Sequence, residues 1–210
     1  IVSIGVSGVE FERALALKKA GAKVFLIDVA HGASIQTVRQ YDRIRGRFGS
    51  DVKLIVGNFA DSSGVRAFLK NSESGVKPDA IKVGIGGGSL CTTRVVTGSG
   101  VPTLSSVIDC KSLGIPIIAD GGIKNSGDVA KALAAGATMV MLGRMFAGTD
   151  EAPGGIILRD GLKYKAHRGS ASFLAVADRK LASDEITNVD KLNTVVAEGK
   201  SKTVIFMPDG

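Results

Sequence analysis

Short apolar segments and amphipathic segments alternate along the first 150 residues, and this alternation restricts the fold more than any other feature. Six runs rich in β-branched residues predict strands, at residues 1–6, 23–28, 52–56, 80–83, 115–119 and 138–142. Between them, apolar residues return every three or four positions and predict helices at residues 10–20, 34–48, 62–71, 104–113 and 126–135. Strands so continuously apolar are typical of a parallel sheet covered by helices, either doubly wound or closed as a (β/α)8 barrel.

The placement of polar residues favours the barrel. Asp28, Asn58, residues 84–94, Asp120 and Gly143 each follow the carboxyl end of a predicted strand, which is the active face of a (β/α)8 barrel. A closed barrel has eight strands and only six are predicted here. We therefore expect an incomplete α/β barrel within residues 1–150.

The alternation stops after residue 150, and residues 151–210 are rich in charged and small side chains. The sequence Arg-Asp-Gly-Leu-Lys at residues 159–163 predicts a hairpin turn. A long excursion from the active face of a barrel usually acts as a lid. We expect residues 151–210 to form a flap of the same catalytic domain, with an inert surface insertion as the alternative.

Composition narrows the class of ligand. The chain has two cysteines and no run of about 18 apolar residues, so we expect neither a disulfide framework nor a membrane span, and we expect a cytoplasmic location. The net charge of +7 indicates an anionic partner or a merely solvated surface. Because only 5% of the residues are aromatic, the charge favours a phosphorylated small molecule over nucleic acid.

A glycine-rich run at residues 83–94 is the most informative motif. Its dense glycines let backbone groups approach a ligand closely, and the run ends in Cys91 surrounded by Ser89, Thr92, Thr93 and Arg94. Hydroxyl groups and a cation are surroundings that activate a thiol as a nucleophile. The alternative for Cys91 is a small buried hydrophobic residue, which is what we expect of Cys110 in the middle of a predicted helix.

Glycines also end the last two predicted strands, at residues 121–122 and 143. Backbone N–H groups in these two loops commonly bind phosphate in this fold. Asp120 would repel a phosphate but would accept hydrogen bonds from a ribose diol. The pattern therefore predicts a nucleoside monophosphate site.

Five segments, taken in order, closely resemble the IMP dehydrogenase and GMP reductase family of purine-nucleotide (β/α)8 barrels: residues 84–94, 117–122, 127–132, 140–143 and 146–151. The resemblance covers nearly the whole chain. It implies that the first two strands of the barrel would precede residue 1 and that the terminal helices would follow residue 210.

The resemblance also implies the chemistry of individual residues. Cys91 would attack C2 of the purine and form a covalent intermediate, and Thr93 would help to handle water or ammonia. The residues expected around the nucleotide are Ser89, Asp120, Gly121, Gly122, Gly143, Arg144, Gly169, Ser170, Ala171 and Ser172. The nicotinamide side would be lined by Asp28, Val29, Ala30 and Asn58. The carbonyl groups of Gly86, Gly88 and Cys91 would hold a monovalent cation, K⁺.

The two branches of the family differ in direction. Dehydrogenases activate water with an Arg-Tyr pair in the flap, and no Arg-Tyr pair occurs in this sequence. Reductases show three motifs that are present here: Cys-Thr-Thr-Arg at 91–94, Thr-Gly-Ser-Gly at 97–100 and Ala-Glu-Gly-Lys at 197–200. By this resemblance Glu198 would work with Thr93 to protonate the departing amine.

We therefore expect an oxidoreductase of purine metabolism that converts GMP to IMP and ammonia with NADPH. Conversion of IMP to XMP with NAD is the alternative within the family, and a non-catalytic nucleotide-binding fragment is the alternative outside it. The expected partners are GMP or IMP and a nicotinamide dinucleotide, with no nucleic acid and no membrane. The resemblance also implies a homotetramer.

Overall fold

Six parallel strands form one sheet in the order in which they follow one another in the chain. The computed structural model describes residues 1–169 and 203–206. The six strands are β1 (Val2–Ile4), β2 (Val24–Asp28), β3 (Lys53–Phe59), β4 (Ala80–Val83), β5 (Ile117–Asp120) and β6 (Met139–Met141). A doubly wound sheet reverses its strand order at a switch point, whereas a (β/α)8 barrel keeps sequential order. The sequential order confirms the prediction of a partial barrel.

The helices fall where the apolar periodicity predicts them. They are α1 (Glu10–Lys19), α2 (Ile35–Phe48), α3 (Ser62–Asn71), α4 (Thr93–Thr97), α5 (Thr103–Cys110) and α6 (Ser126–Ala135). Of these six helices in the described residues, only the short α4 was not predicted. None of the helices in the described part of the chain is both long and apolar enough to cross a membrane.

A glycine ends α1 in the manner expected of a C-cap. Gly21 has a φ of +98°, its N–H donates to Lys18 O at 3.0 Å, and the following N–H of Ala22 donates to Leu17 O at 2.9 Å. This pair of bonds is a Schellman motif, which requires a positive φ that glycine adopts without strain. It directs the chain from α1 into β2.

Two compact units make up the described chain. The first, here called the sheet unit, comprises Ile1–Ile85, Val101–Asp120 and Ser126–Met141, and it contains all six parallel strands. The second, the loop unit, comprises Gly86–Gly100, Gly121–Asn125 and the described residues from Leu142 onward.

An aromatic cluster fixes β3 against the helices of the sheet unit. The ring of Phe68 packs edge-on against Tyr41 at 5.2 Å and against Phe59 at 5.8 Å between ring centroids. All three side chains are buried. Large buried aromatic residues contribute strongly to the stability of a core, so this cluster holds the end of β3 in place.

A network around Asp79 secures the amino end of β4. The Asp79 carboxylate accepts hydrogen bonds from Leu54 N at 2.9 Å and from Arg45 Nη2 at 2.8 Å, and it pairs with Lys53 Nζ at 2.9 Å. Burial raises the pKa of Asp79, but these hydrogen bonds together with the Arg45 charge outweigh burial and hold the pKa below its ordinary value. The network lies at the end of the sheet where residues usually serve stability.

Three antiparallel strands form a second sheet in the loop unit: β7 (Ile156–Arg159), β8 (Leu162–His167) and β9 (Thr203–Phe206). Asp160 and Gly161 connect β7 to β8 with φ values of 53° and 76°. Two consecutive positive φ values are the signature of a type I′ hairpin turn, which confirms the predicted turn at residues 159–163. The strand β9 was not predicted.

A buried lysine ties this sheet to the preceding turn. The ammonium group of Lys165 in β8 donates to three backbone carbonyls, those of Thr149 at 2.6 Å, Asp150 at 2.9 Å and Ala152 at 2.6 Å. Its side chain is buried. The three carbonyl oxygens replace the water that the ammonium loses on burial.

Candidate active site

Four polar side chains meet at the carboxyl edge of the parallel sheet, and we call them the carboxylate cluster: Asp28, Asn58, Lys82 and Asp120. Lys82 Nζ lies 3.0 Å from Asp28 Oδ1 and also donates to Asp120 Oδ2. Asn58 Nδ2 donates to the same Asp120 Oδ2 at 2.9 Å and to Gly84 O at 2.7 Å. The structure therefore brings together three residues that the sequence predicts for the site and adds a fourth, Lys82.

The strand register explains how one lysine reaches two carboxylates. Gly57 of β3 pairs with Asp28 of β2 on one side and with Lys82 of β4 on the other. A Cβ atom at Gly57 would lie only 2.6 Å from Lys82 Cβ and 2.7 Å from Lys82 O. Because Gly57 has no side chain, Lys82 can extend across β3 to Asp28.

Charge and burial decide what the carboxylate cluster can bind. The Lys82 side chain is 3% exposed, whereas those of Asp120 and Asp28 are 23% and 35% exposed. The two carboxylates outnumber the one ammonium, so the accessible part of the cluster is negative. It suits hydroxyl donors and repels phosphate.

Lys82 was missed by the sequence analysis, although a signal was present. It is the one charged residue in the apolar run Ala80–Val83, and a fully buried lysine is rare unless it is paired. Strand periodicity alone does not identify the partners of such a residue.

Backbone bonds link two of the other predicted cofactor residues. Val29 N donates to Gly57 O at 2.9 Å, and Asn58 N donates to Val29 O at 2.7 Å. These bonds anchor the segment after β2 beside Asn58. Ala30, the next residue, is exposed.

The predicted nucleophile lies in the loop unit, within a segment that we call the cysteine loop (Gly86–Gly100). The Cys91 thiol donates to Thr93 Oγ1 at 3.3 Å, and Cys91 N donates to Gly88 O at 3.1 Å. Thr93 is the first residue of α4, and both side chains are partly exposed. The arrangement places a hydroxyl group that can donate or accept a proton beside an accessible sulfur.

Cys110 has the opposite surroundings. It is fully buried in α5, and burial together with the charges of Asp109 and Asp61 raises the pKa of its thiol to about 11. A thiol with this pKa stays protonated near neutral pH. Cys110 is a core residue, as the sequence predicts.

Gly121, after β5, packs differently from Gly143, after β6. Gly121 has a φ of +86°, and a Cβ atom there would lie 2.9 Å from Gly88 N, so residue 121 must be glycine for its backbone to approach the cysteine loop. Gly122 also has a positive φ, of +80°. A Cβ atom at Gly143 would meet nothing within 4 Å, so packing does not explain the glycine there.

The remaining predicted phosphate residues are accessible. Ser89, Gly122, Gly143 and Arg144 are all exposed. Burial, and secondarily the Arg144 cation, lowers the pKa of His167 in β8, which shows that the Arg144 charge acts on this histidine. Gly169 is partly buried at the end of the described segment, whereas Ser170, Ala171, Ser172 and Glu198 lie outside the described residues.

The cation prediction concerns backbone oxygens. Gly88 O accepts the Cys91 N–H and has a second lone pair, and Gly86 has a φ of +78° that turns the chain at the start of the loop. Within residues 1–169 and 203–206, no group of three or more His, Cys, Asp or Glu side chains is arranged to hold a metal ion. The predicted ligands are carbonyl oxygens, which bind hard cations.

Comparison with known proteins identifies relatives of both branches. The chain is 46% identical over 209 residues to an inosine-5'-monophosphate dehydrogenase of Nitrosopumilus maritimus, covering 97% of this chain and 43% of the relative. It is 48% identical over 210 residues to the enzyme of the same name from Streptococcus pyogenes, covering 97% and 41%. It is 44% identical over 210 residues to a GMP reductase of Leishmania major, covering 96% and 41%. The chain spans about two fifths of the length of these curated relatives.

A solved structure gives the same result for the fold. The crystal structure of a GMP reductase from Trypanosoma brucei in complex with guanosine 5'-monophosphate matches with a TM-score of 0.84 at 38% identity, covering 98% of this chain and 41% of that one. The family model for the IMP dehydrogenase / GMP reductase domain matches residues 2–208. The chain therefore belongs to the IMP dehydrogenase / GMP reductase family.

Proposed function

We propose that this chain is the catalytic part of a GMP reductase, an oxidoreductase that converts GMP and NADPH to IMP, ammonia and NADP⁺. The observation that carries the proposal is the hydrogen bond between Cys91 and Thr93, within a Cys-Thr-Thr-Arg sequence that follows a glycine-rich run. The absence of an Arg-Tyr pair from the sequence supports reduction over hydrolysis.

In the proposed reaction, the Cys91 thiolate adds to C2 of the guanine base, and the C2–N bond breaks to release the amino group. Thr93, which accepts the Cys91 S–H at 3.3 Å, would relay a proton to the departing nitrogen, so that ammonia leaves. When bound, NADPH would supply the hydride that takes the place of the amino group at C2. The C2–S bond then breaks, which frees IMP and restores the Cys91 thiolate.

Glu198 is proposed as the residue that provides the proton through Thr93. A carboxylic acid near an amine leaving group suits general acid catalysis. The role rests on the Ala-Glu-Gly-Lys sequence at residues 197–200.

The ligand-binding residues are assigned by their chemistry. Asp120 would accept hydrogen bonds from the ribose hydroxyls of GMP, because its carboxylate belongs to a net negative cluster that suits hydroxyl donors. The residues proposed to bind the 5'-phosphate and the base edge are Ser89, Gly121, Gly122, Gly143, Arg144, Gly169, Ser170, Ala171 and Ser172, of which Ser89, Gly122, Gly143 and Arg144 are exposed. Asp28, with Val29, Ala30 and Asn58, would line the nicotinamide side, where the 35% exposed Asp28 carboxylate suits the hydroxyls of a dinucleotide.

We propose that the carbonyl groups of Gly86, Gly88 and Cys91 bind K⁺. The Gly88 carbonyl that would bind it already accepts the N–H of Cys91. An ion at this position would therefore stabilise the loop that carries the nucleophile.

IMP dehydrogenase is the second candidate. The two dehydrogenases are 46% and 48% identical to this chain, and the Leishmania reductase is 44% identical. In that reaction the Cys91 thiolate would add to C2 of IMP, hydride would pass from C2 to NAD, and water would then replace the sulfur at C2 to give XMP and restore Cys91.

One assay on the full-length protein separates the candidates. Supplied with GMP and NADPH, the protein should consume NADPH and release IMP and ammonia in equal amounts, whereas IMP with NAD should give little XMP. Cys91→Ser should abolish turnover, and Cys110→Ala, the matched control, should retain it. XMP formation as fast as GMP reduction would instead support the dehydrogenase.

The homotetramer and the cytoplasmic location expected from the sequence stay predictions. Sedimentation of the full-length protein with and without GMP would measure the oligomeric state. A stable monomer would contradict the predicted homotetramer.

A further inference from the structure

We infer that Lys82 is a positioning residue that orients Asp120 toward the ribose hydroxyls of the nucleotide and thereby sets the preference for a ribonucleotide over its 2'-deoxy analogue. The inference rests on the proposed function, because it assumes that Asp120 binds the ribose. Lys82 would act through Asp120, because its own side chain is only 3% exposed.

Two side chains hold the Asp120 carboxylate in one orientation. Lys82 Nζ and Asn58 Nδ2 both donate to Oδ2 of Asp120, from β4 and β3 respectively. Two donors on one oxygen restrict rotation of the carboxylate, so its orientation is set before a ligand arrives. Restricting a binding group in advance lowers the entropy cost of binding.

Lys82 also balances the negative charges of Asp28 and Asp120. Asp28 and Asp120 both contact the same ammonium group, so without Lys82 two carboxylates would be neighbours with no shared cation. Like charges repel, and Asp120 would also lose one of the two donors that hold its Oδ2 atom. Asp120 would then no longer present a fixed acceptor to a hydroxyl group.

Packing within the parallel sheet fixes the position of the Lys82 side chain. The Lys82 side chain is 3% exposed, and its path to Asp28 depends on the missing side chain at Gly57. An exposed lysine could adopt many conformations and contact other partners. The buried Lys82 side chain has few alternative conformations, so its position determines the orientation of Asp120.

Binding of GMP and 2'-deoxy-GMP to the full-length protein, measured by calorimetry, tests the inference. Lys82→Met keeps most of the length of the side chain but removes the charge. We expect it to weaken GMP binding about 10- to 100-fold, as loss of a charged hydrogen-bonding partner does, and to weaken 2'-deoxy-GMP binding much less. The ratio of the two affinities should fall toward the ratio in Asp120→Asn.

Lys165→Met is the matched control. Lys165 is about as deeply buried as Lys82, but among the described residues its ammonium donates only to backbone carbonyls. Removing its charge should therefore leave the ratio of the GMP and 2'-deoxy-GMP affinities unchanged, even if it lowers stability. The control separates positioning of Asp120 from the general cost of removing a buried lysine.

Chemical rescue keeps the inference testable if Lys82→Met folds poorly. Lys82→Ala lacks three carbons and the ammonium group, which propylammonium ions would restore. Added propylammonium should recover the preference for GMP, whereas tetramethylammonium, which has the same charge but no N–H, should not.

The outcomes distinguish the role of Lys82 from the assignment of Asp120 to the ribose. If Asp120→Asn lowers the preference for GMP but Lys82→Met and Lys82→Ala do not, the role of Lys82 is wrong and the ribose assignment stands. If Asp120→Asn leaves the preference unchanged, the ribose assignment is wrong, and the role of Lys82 is wrong with it. Loss of the preference in Lys165→Met would also overturn the inference.

Discussion

Gly57 of β3 and Lys82 of β4 are register partners, and the lysine stem occupies the space that a side chain at residue 57 would need. The same lysine contacts Asp28 and Asp120 at the carboxyl edge of the sheet. A substitution at residue 57 should therefore affect both the stability of the sheet and the position of Lys82 in the carboxylate cluster.

Gly57→Ala should destabilise the protein by about 1–3 kcal/mol, the usual cost of overpacking a core, because the new Cβ atom would lie 2.6 Å from Lys82 Cβ. Gly46→Ala is the matched control. Gly46 lies inside α2, and a Cβ atom there would meet nothing within 4 Å. It should stabilise the helix by about 0.5–1 kcal/mol. Urea unfolding of the two variants measures both effects, and equal stabilities would contradict the proposed packing of Lys82.

The network around Asp79 should make stability depend on pH in the acid range. The pKa of Asp79 is below its ordinary value in the folded protein, so its contribution to stability is complete above the unfolded value of about 3.9. That contribution is lost as the pH falls through the lower, folded pKa. Asp79→Asn should cost about 1–3 kcal/mol near neutral pH, and the difference from the wild type should shrink at acid pH.

Asp160→Asn is the control for the Asp79 experiment. Asp160 is exposed in the β7–β8 turn at a positive φ that asparagine also tolerates. It should leave the free energy of unfolding unchanged at both pH values. A pH-independent cost of Asp79→Asn would show that packing, and not charge, accounts for the effect.

The two cysteines should differ in alkylation. Iodoacetamide near pH 8 should modify the partly exposed Cys91 in the native protein, whereas Cys110, buried and with a pKa of about 11, should react only after unfolding. Peptide mass spectrometry locates the label. GMP should protect Cys91, and labelling of native Cys110 would contradict the packing of α5.

The pKa of His167 should report on the charge near Arg144. Burial lowers this pKa first, and the Arg144 cation lowers it further. Arg144→Gln removes the cation, so the pKa of His167 should rise toward the ordinary value of about 6.5 without reaching it. A bound phosphate would neutralise the cation and should also raise it. NMR titration distinguishes His167 from His31, the other histidine, and an unchanged His167 would contradict both effects.

Much of the fold could be predicted because the apolar periodicity is strong. The predicted strand at residues 80–83 and the predicted helix at residues 62–71 have the bounds that the structure gives them. The helix α4 was missed because its five residues have no buried face, and the strand β9 was missed because it follows a long stretch without periodic pattern.

The candidate site could be predicted only in part. Cys91 and Asp120 lie beside glycines that mark loops, so their chemistry is visible in the sequence. Lys82 is different, because its importance depends on which residues of β2 and β5 lie within reach, and the sequence does not show the register across β3. Gly57 was not recognised for the same reason, since its meaning is the space it leaves for a residue on another strand.

The bonds of Lys165 carry a consequence for sequence variation. Its ammonium group binds the main-chain oxygens of Thr149, Asp150 and Ala152 and makes no demand on their side chains. Asp150 and Ala152 can therefore accept many substitutions while the turn keeps its shape, provided that the backbone can still follow its path. Thr149 differs, because its side chain also donates to Phe146 O at 3.0 Å. Residue 165 is the most restricted, because only a long side chain that ends in several N–H donors can satisfy all three oxygens. Among descendants of this sequence, residues 150 and 152 should diverge while the lysine 13 to 15 residues later stays the same.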